Sequence, residues 1–215
     1  VTRPFQPFPF TSGGHRQTLL GYFCRRRLVW HPPSEDLVLD AGEDVRLLLR
    51  ASWQPGPRDQ RPALLVVHGL GGCDSATYVH ATGLHAWSRG WHVIRANMRS
   101  AGDSVRLCAR LYNAGLDSDL VAVLRGLAGR IGRFGVVGFS LGGNLALLAL
   151  ARNAGDIPAA LLGAVAVSPP LDLAECAARI ERPLNRIYQR YFMVSLREAY
   201  RIRQGLRPDL YEAGR

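Results

Sequence analysis

Gly138-Phe139-Ser140-Leu141-Gly142-Gly143 is the stretch on which the reading of this chain turns. In a sequence with 23 glycines a Gly-x-Ser-x-Gly string means little by itself, so its setting decides. Before it runs an apolar segment, Phe134 to Val137. After it runs another, Asn144 to Leu148. The first has the length of a buried strand and the second the composition of a helix, so the serine falls on a strand–turn–helix junction. A tight turn of that kind brings helix and strand together at its flanks. Gly138 and Gly142 suit those places because they carry no side chain to collide. Ser140 would then project its hydroxyl from the C-terminal edge of a sheet, where open α/β folds bind ligands.

Upstream lies a matching element, His68-Gly69-Leu70-Gly71-Gly72, directly after the apolar run Ala63 to Val67. If both runs are parallel strands, this glycine-rich loop leaves the sheet on the same edge as Ser140. Its backbone amides can face the serine. Gly69 and Gly71 leave the loop free to turn, and the amides of Leu70 and Leu141 are the pair expected to stabilise an oxyanion.

The rest of the chain supports an α/β arrangement. A hairpin is expected over residues 35–53, with its turn at Ala41 to Asp44. A Pro- and Gly-punctuated loop follows, from Gln54 to Pro62. Strands are expected at Ala63–Val67, Trp91–Ala96, Arg133–Gly138 and Ala160–Val167. Helices are expected near Ser75–Arg89, Leu116–Gly129 and Leu141–Arg152. Such alternation means a mostly parallel sheet with helices on both faces. A short helix is expected near Gln17–Phe23. From Leu171 the chain turns helical and Arg-rich, so residues 1–170 read as the core and 171–215 as a partial helical cap.

With 215 residues, 47% hydrophobic and 20% charged, the composition is that of one globular domain. The formal charge is +10, and every basic side chain other than histidine is Arg. The arginines are spread evenly, which gives no nucleic-acid footprint, although a basic surface favours anionic substrates or a peripheral membrane face. Without Lys there is no phosphate-binding Gly-x-x-x-x-Gly-Lys-Ser/Thr loop. No Gly-x-Gly-x-x-Gly follows a strand, and no His-Glu-x-x-His is present. No cofactor and no metal are therefore expected. Cys24, Cys73, Cys108 and Cys176 lack paired spacing and read as free thiols of a reducing, cytoplasmic compartment. No secretory leader and no transmembrane span are expected.

Several segments together resemble the α/β-hydrolase fold, and within it the YheT-like branch related to the ABHD proteins. They are Gly14-His15-Arg16-Gln17-Thr18-Leu19-Leu20, His68 to Gly72, Arg99-Ser100-Ala101-Gly102, Tyr112-Asn113-Ala114-Gly115 with Asp119, Gly138 to Asn144, and Asn185-Arg186-Ile187-Tyr188-Gln189-Arg190-Tyr191. The resemblance implies hydrolysis of carboxylic esters or lipid acyl esters by a Ser–His–Asp triad, with Ser140 as nucleophile and no cofactor. Small esters or lipids are the implied substrates.

The resemblance also implies an acid and a histidine after further strands, and no histidine follows Ser140. The chain, which begins at Val1, is therefore expected to be the N-terminal part of a longer enzyme, inactive alone. The alternative is a hydrolase-like binding protein without a triad histidine. Among upstream residues, His68 is expected to brace its loop and His92 to lie at the opposite sheet edge. His80 and His85 are expected at the surface or in helix packing, and His15 and His31 in structural roles. Asp172 is expected to contact the cap, and Cys73 to be a packed thiol. Asp103 and Asp119 are expected as loop and helix-capping groups. The Arg and Tyr residues of 179–203 could meet lipid head groups, but a solvated helix face over buried aromatics is the expected arrangement.

Overall fold

The structure is a computed structural model, and it describes Pro4, residues 6–24 and residues 28–211. Six strands form one sheet: β1 (Glu35–Asp40), β2 (Arg46–Ser52), β3 (Ala63–Val67), β4 (His92–Ala96), β5 (Phe134–Phe139) and β6 (Leu161–Val167). Six α-helices accompany them: α1 (Gly14–Phe23), α2 (Thr77–Trp87), α3 (Asp117–Ala128), α4 (Leu141–Arg152), α5 (Leu173–Glu181) and α6 (Arg186–Leu206). The sheet order is β1-β2-β4-β3-β5-β6. β1–β2 and β2–β4 are antiparallel, while β4, β3, β5 and β6 run parallel. This is the α/β-hydrolase architecture that the motifs imply.

Burial follows from the period-2 geometry of strands covered on both sides. All five residues of β4 are buried. Ile94 faces a core shared with Leu124 and Leu127 of α3 and Leu145 of α4. Val93 faces the other way, where it comes within van der Waals reach of Gly83 on α2. Helices α3 and α4 thus cover one face and α2 the other. The hairpin turn at residues 41–44 closes through Ala41 N–H to Val45 O (2.9 Å). Gly42 and Asp44 hold positive φ of 128° and 57° there, as a tight reversal requires.

The order of connections positions the site. After β3 the chain crosses through α2 to β4, and after β5 it crosses through α4 to β6, on the opposite side. β3 and β5 are neighbours, so their C-terminal ends flank the point where the winding direction reverses. Ligands of open α/β sheets bind there. β6 is the last strand of the sheet among the described residues, and it is poorly covered: Leu162 and Val165 are 66% and 56% exposed.

Element limits differ modestly from the sequence expectation. α1 starts three residues earlier, at Gly14, where the Thr18 hydroxyl donates to the Gly14 carbonyl (2.8 Å). α2 is shorter at both ends. The 3₁₀ turns at Gly102–Arg106, Ala154–Asp156 and Pro183–Asn185 were not expected, because segments of three to five residues leave no periodic signal. Among the described residues no helix is long and apolar enough to cross a membrane.

Candidate active site

Ser140 sits between β5 and α4 with φ 49° and ψ −117°. This is a sparsely populated region for a residue with a Cβ, and holding it costs about 1–3 kcal/mol. The surrounding packing enforces it. A Cβ at Gly138 would collide with the Gly142 carbonyl, and a Cβ at Gly142 would come within 2.8 Å of the Val67 carbonyl. A Cβ at Gly143 would lie 2.9 Å from Gly138 O. The Ser140 amide donates to Val167 O of β6 (2.9 Å), which ties the turn to the neighbouring strand. The side chain is exposed, at the N-terminal end of α4, where helix amides and the helix dipole favour negative charge.

The loop after β3 lies against this turn. The register pairs Val67 with Gly138, and the loop continues so that a Cβ at Gly69 would stand 3.0 Å from the Ser140 Cβ. Two tyrosine hydroxyls fix the loop's amides. Gly69 N–H donates to the Tyr78 hydroxyl (2.9 Å), and Gly71 N–H donates to the Tyr112 hydroxyl (2.7 Å). Gly71 adopts φ 71°, which a side chain would resist. With these two amides engaged, Leu70 N–H, between them, donates to no group among the described residues. Leu141 N–H, in the first turn of α4, does not either. Burial pushes the hydroxyls of both Tyr78 and Tyr112 up from their ordinary pKa, so both stay protonated.

His68 is fully buried beneath the loop. Met98 N–H donates to its Nε2 (3.1 Å), so the ring proton sits on Nδ1 and is donated to Gly69 O (2.8 Å). Both nitrogens are used, and burial lowers the pKa to about 4. The ring braces the loop, as expected, and is not placed to take a proton from Ser140. His92 starts β4 at the opposite edge, where its Nδ1 accepts from Gln54 N–H (2.9 Å). His85 is exposed, whereas His80 is buried in packing: its Nε2 accepts from Arg95 (3.0 Å) and its Nδ1 donates to Leu28 O (3.1 Å). His15 stacks on Tyr188 of α6 with centroids 5.7 Å apart. Among the described residues no histidine hydrogen-bonds Ser140.

One carboxylate differs from expectation. Asp119 does not cap α3 but receives two hydrogen bonds from Arg99 (2.5 and 2.6 Å), closing the loop that carries Tyr112. Here a guanidinium distant in sequence outcompetes the local amide, a long-range choice that sequence spacing does not encode. Asp103, on the connection after β4, pairs with Arg50 at the surface. Asp172 caps α5 by accepting from Glu175 N–H (2.8 Å). Cys73 Sγ lies 3.0 Å from Ser75 Oγ and is only half-buried. Tyr78 and Tyr112 were missed as loop-fixing groups. Tyr112 stood within a quoted motif, but nothing in the sequence tied either ring to the glycine loop.

An open cavity of about 1090 Å³ adjoins the loop, lined among others by Tyr22, Phe23, Leu70, Tyr78 and Tyr191. Tyr191 reaches it from α6, which is anchored by the buried Arg203 donating to the carbonyls of Cys108 and Val105. Tyr188 and Phe192 are half-buried, but Tyr191 is 52% exposed, contrary to the expectation of buried aromatics. No group of three or more His, Cys, Asp or Glu that could hold a metal ion occurs among the described residues.

Comparison with known proteins agrees with this fold. A family described as the alpha/beta hydrolase fold matches residues 62–203. The chain is 33% identical over 191 residues to an Escherichia coli (strain K12) protein named "Putative esterase YheT", covering 88% of this chain and 55% of that one. It is 29% identical over 212 residues to the embryogenesis-associated protein EMB8 of Picea glauca, covering 92% of this chain and 45% of the other. The chain thus spans about half the length of these curated relatives. Among solved structures, the Pyrococcus furiosus esterase Pf2001 superposes with TM-score 0.60 at 21% identity, covering 81% of this chain and 68% of that chain. The lidless serine hydrolase XC6422 of Xanthomonas campestris superposes with TM-score 0.52 at 24% identity, covering 68% and 66%. Those two likenesses concern the fold.

Proposed function

The chain belongs to the alpha/beta hydrolase fold family, in its YheT-like branch, and from that premise we propose that it is the nucleophile-bearing part of a serine hydrolase of carboxylic or lipid acyl esters. The observation that carries the proposal is the strained backbone of Ser140, packed against the glycine loop and followed at once by a helix. A residue with a Cβ is kept in such geometry when the position of its side chain matters.

In this reading Ser140 Oγ attacks the ester carbonyl as a histidine takes its proton. The carbonyl oxygen becomes an oxyanion and accepts hydrogen bonds from Leu70 N–H and Leu141 N–H, neither of which donates to another group among the described residues. Collapse of the tetrahedral intermediate breaks the bond to the alcohol, which leaves with the proton returned by the histidine. Water then attacks the acyl-enzyme by the same route and frees the acid. Gly69 and Gly71 let the loop backbone come near, and Tyr78 and Tyr112 keep its amides turned correctly. The adjoining cavity receives the apolar part of the ester.

The acid and the histidine are assigned to residues beyond Arg215, on strands that extend the sheet past β6. The exposed apolar side chains of β6 support this, because an uncovered strand edge of that character is normally paired or covered. Residues 171–211 act as part of a helical cap over the site, and the last four residues of the expected cap lie outside the described residues. The test is hydrolysis of a short-chain aryl ester by the full-length protein and by its Ser140→Ala variant. Turnover lost in the variant supports the reading. A full-length protein that binds esters at this cavity without turnover points instead to a hydrolase-like binding protein, which the lack of a histidine at Ser140 among the described residues also fits.

A further inference from the structure

We propose that the outer faces of α6 and α1 form a docking surface for an anionic lipid bilayer. At about 100° per residue, Tyr188, Phe192, Ser195, Ala199 and Arg203 share the side of α6 that turns toward the protein, and all are buried or half-buried. Next to them around the helix come Ile187, Tyr191 and Val194, which are 62%, 52% and 61% exposed. Beyond these come Arg186, Arg190 and Arg197, all exposed. A surface helix typically turns a charged and polar face to solvent opposite its apolar stripe. Here an apolar row and a cationic row lie side by side in solvent, the pattern of a helix that rests in a membrane interface. The row ends at Glu198, which is held near Arg201 (3.9 Å).

Helix α1 extends the same surface. None of its ten residues is buried, and Phe23 is 76% exposed. It is joined to α6 by the His15–Tyr188 stack and by an edge contact between Tyr22 and Tyr191 with centroids 6.2 Å apart. Its Arg16 is exposed, and neither it nor Arg186, Arg190 or Arg197 has an ion-pair partner among the described residues. Unpaired arginines on a chain of formal charge +10 select an anionic partner. The flanking apolar row distinguishes a bilayer from a nucleic acid, which offers no hydrocarbon for Ile187, Val194 and Phe23. Tyr22, Phe23 and Tyr191 also line the cavity beside Leu70, so docking would set its mouth at the lipid surface.

This inference stands apart from the hydrolase reading, because binding is measured without turnover. The full-length Ser140→Ala protein would be sedimented with vesicles of phosphatidylcholine alone and of phosphatidylcholine mixed with phosphatidylglycerol. Binding to the mixed vesicles only, falling as salt rises, is expected. Each Arg→Gln change at 186, 190 and 197 should weaken it about fivefold, and the three together about a hundredfold. These side chains are exposed, so an unchanged melting temperature would show that the variants fold. The proposal is overturned if the mixed vesicles do not bind, if neutral vesicles bind equally well, or if the triple variant binds undiminished. The last result, or no binding at all, is also what a further protein segment covering α6 would give.

Discussion

At the scale of single residues, the site depends on side chains that are absent as much as on those present. Gly142 packs so closely on the end of β3 that a methyl group there must displace main chain. Gly142→Ala is expected to lower stability by about 2–3 kcal/mol, read from urea unfolding. Tyr112→Phe removes only the acceptor of Gly71 N–H, which should cost about 1 kcal/mol of stability and lower kcat of the full-length enzyme while leaving KM nearly unchanged. His68 gives a pH signature. Its folded pKa of about 4 lies below the 6.5 of an unfolded histidine, so the unfolded chain binds the extra proton between those values. Its contribution is therefore complete above pH 6.5 and is lost as the pH falls toward 4, by roughly 3 kcal/mol in all. Melting temperatures from pH 7.5 to 4 should fall more steeply in the parent than in His68→Gln.

The glycine spacing around Ser140 was legible in the sequence because strand, turn and helix are consecutive and Gly138 meets Gly142 within that turn, although Gly142 itself meets the end of β3. The bracing role of His68 was legible only in its local half, the bond to Gly69 O, and not in the Met98 amide that reaches it from beyond β4. Asp119 was misread as a cap and Tyr78 passed over, because each is fixed by a partner that only the assembled fold brings near.

At the scale of elements, α6 is held less by apolar burial than by one guanidinium. Arg203 is 2% exposed and serves the carbonyls of Cys108 and Val105. Arg203→Ala leaves both acceptors unpaired, and should cost about 2–4 kcal/mol and open α6 to proteolysis before the sheet unfolds. A trypsin time course that cuts the variant no faster within α6 would show that the anchor lies elsewhere. The strand–helix alternation of 63–167 was readable because buried parallel strands give continuous apolar runs. The extent of α1 was not, since a helix with no buried residue has no apolar period to read.

At the scale of the molecule, the two edges of the sheet differ. β1 pairs fully with β2 and buries Leu37 and Leu39 in the core, whereas β6 leaves Leu162, Val165 and Val167 in solvent. Residues 1–215 expressed alone are expected to give no ester turnover above background and to melt well below the full-length protein. Robust hydrolysis by 1–215 that disappears in Ser140→Ala would mean that the base lies within these residues. The parallel core was visible in the sequence, but the openness of β6 was not. Its run from Leu161 to Val167 reads like any strand buried on both faces.

The proposed mechanism requires that Ser140 become acylated. The most direct measurement is intact and peptide mass spectrometry of the full-length protein quenched during turnover of an aryl ester. One acyl group is expected on the peptide containing Ser140, absent in Ser140→Ala together with turnover. Turnover persisting in that variant, or the acyl group on another residue, would contradict it.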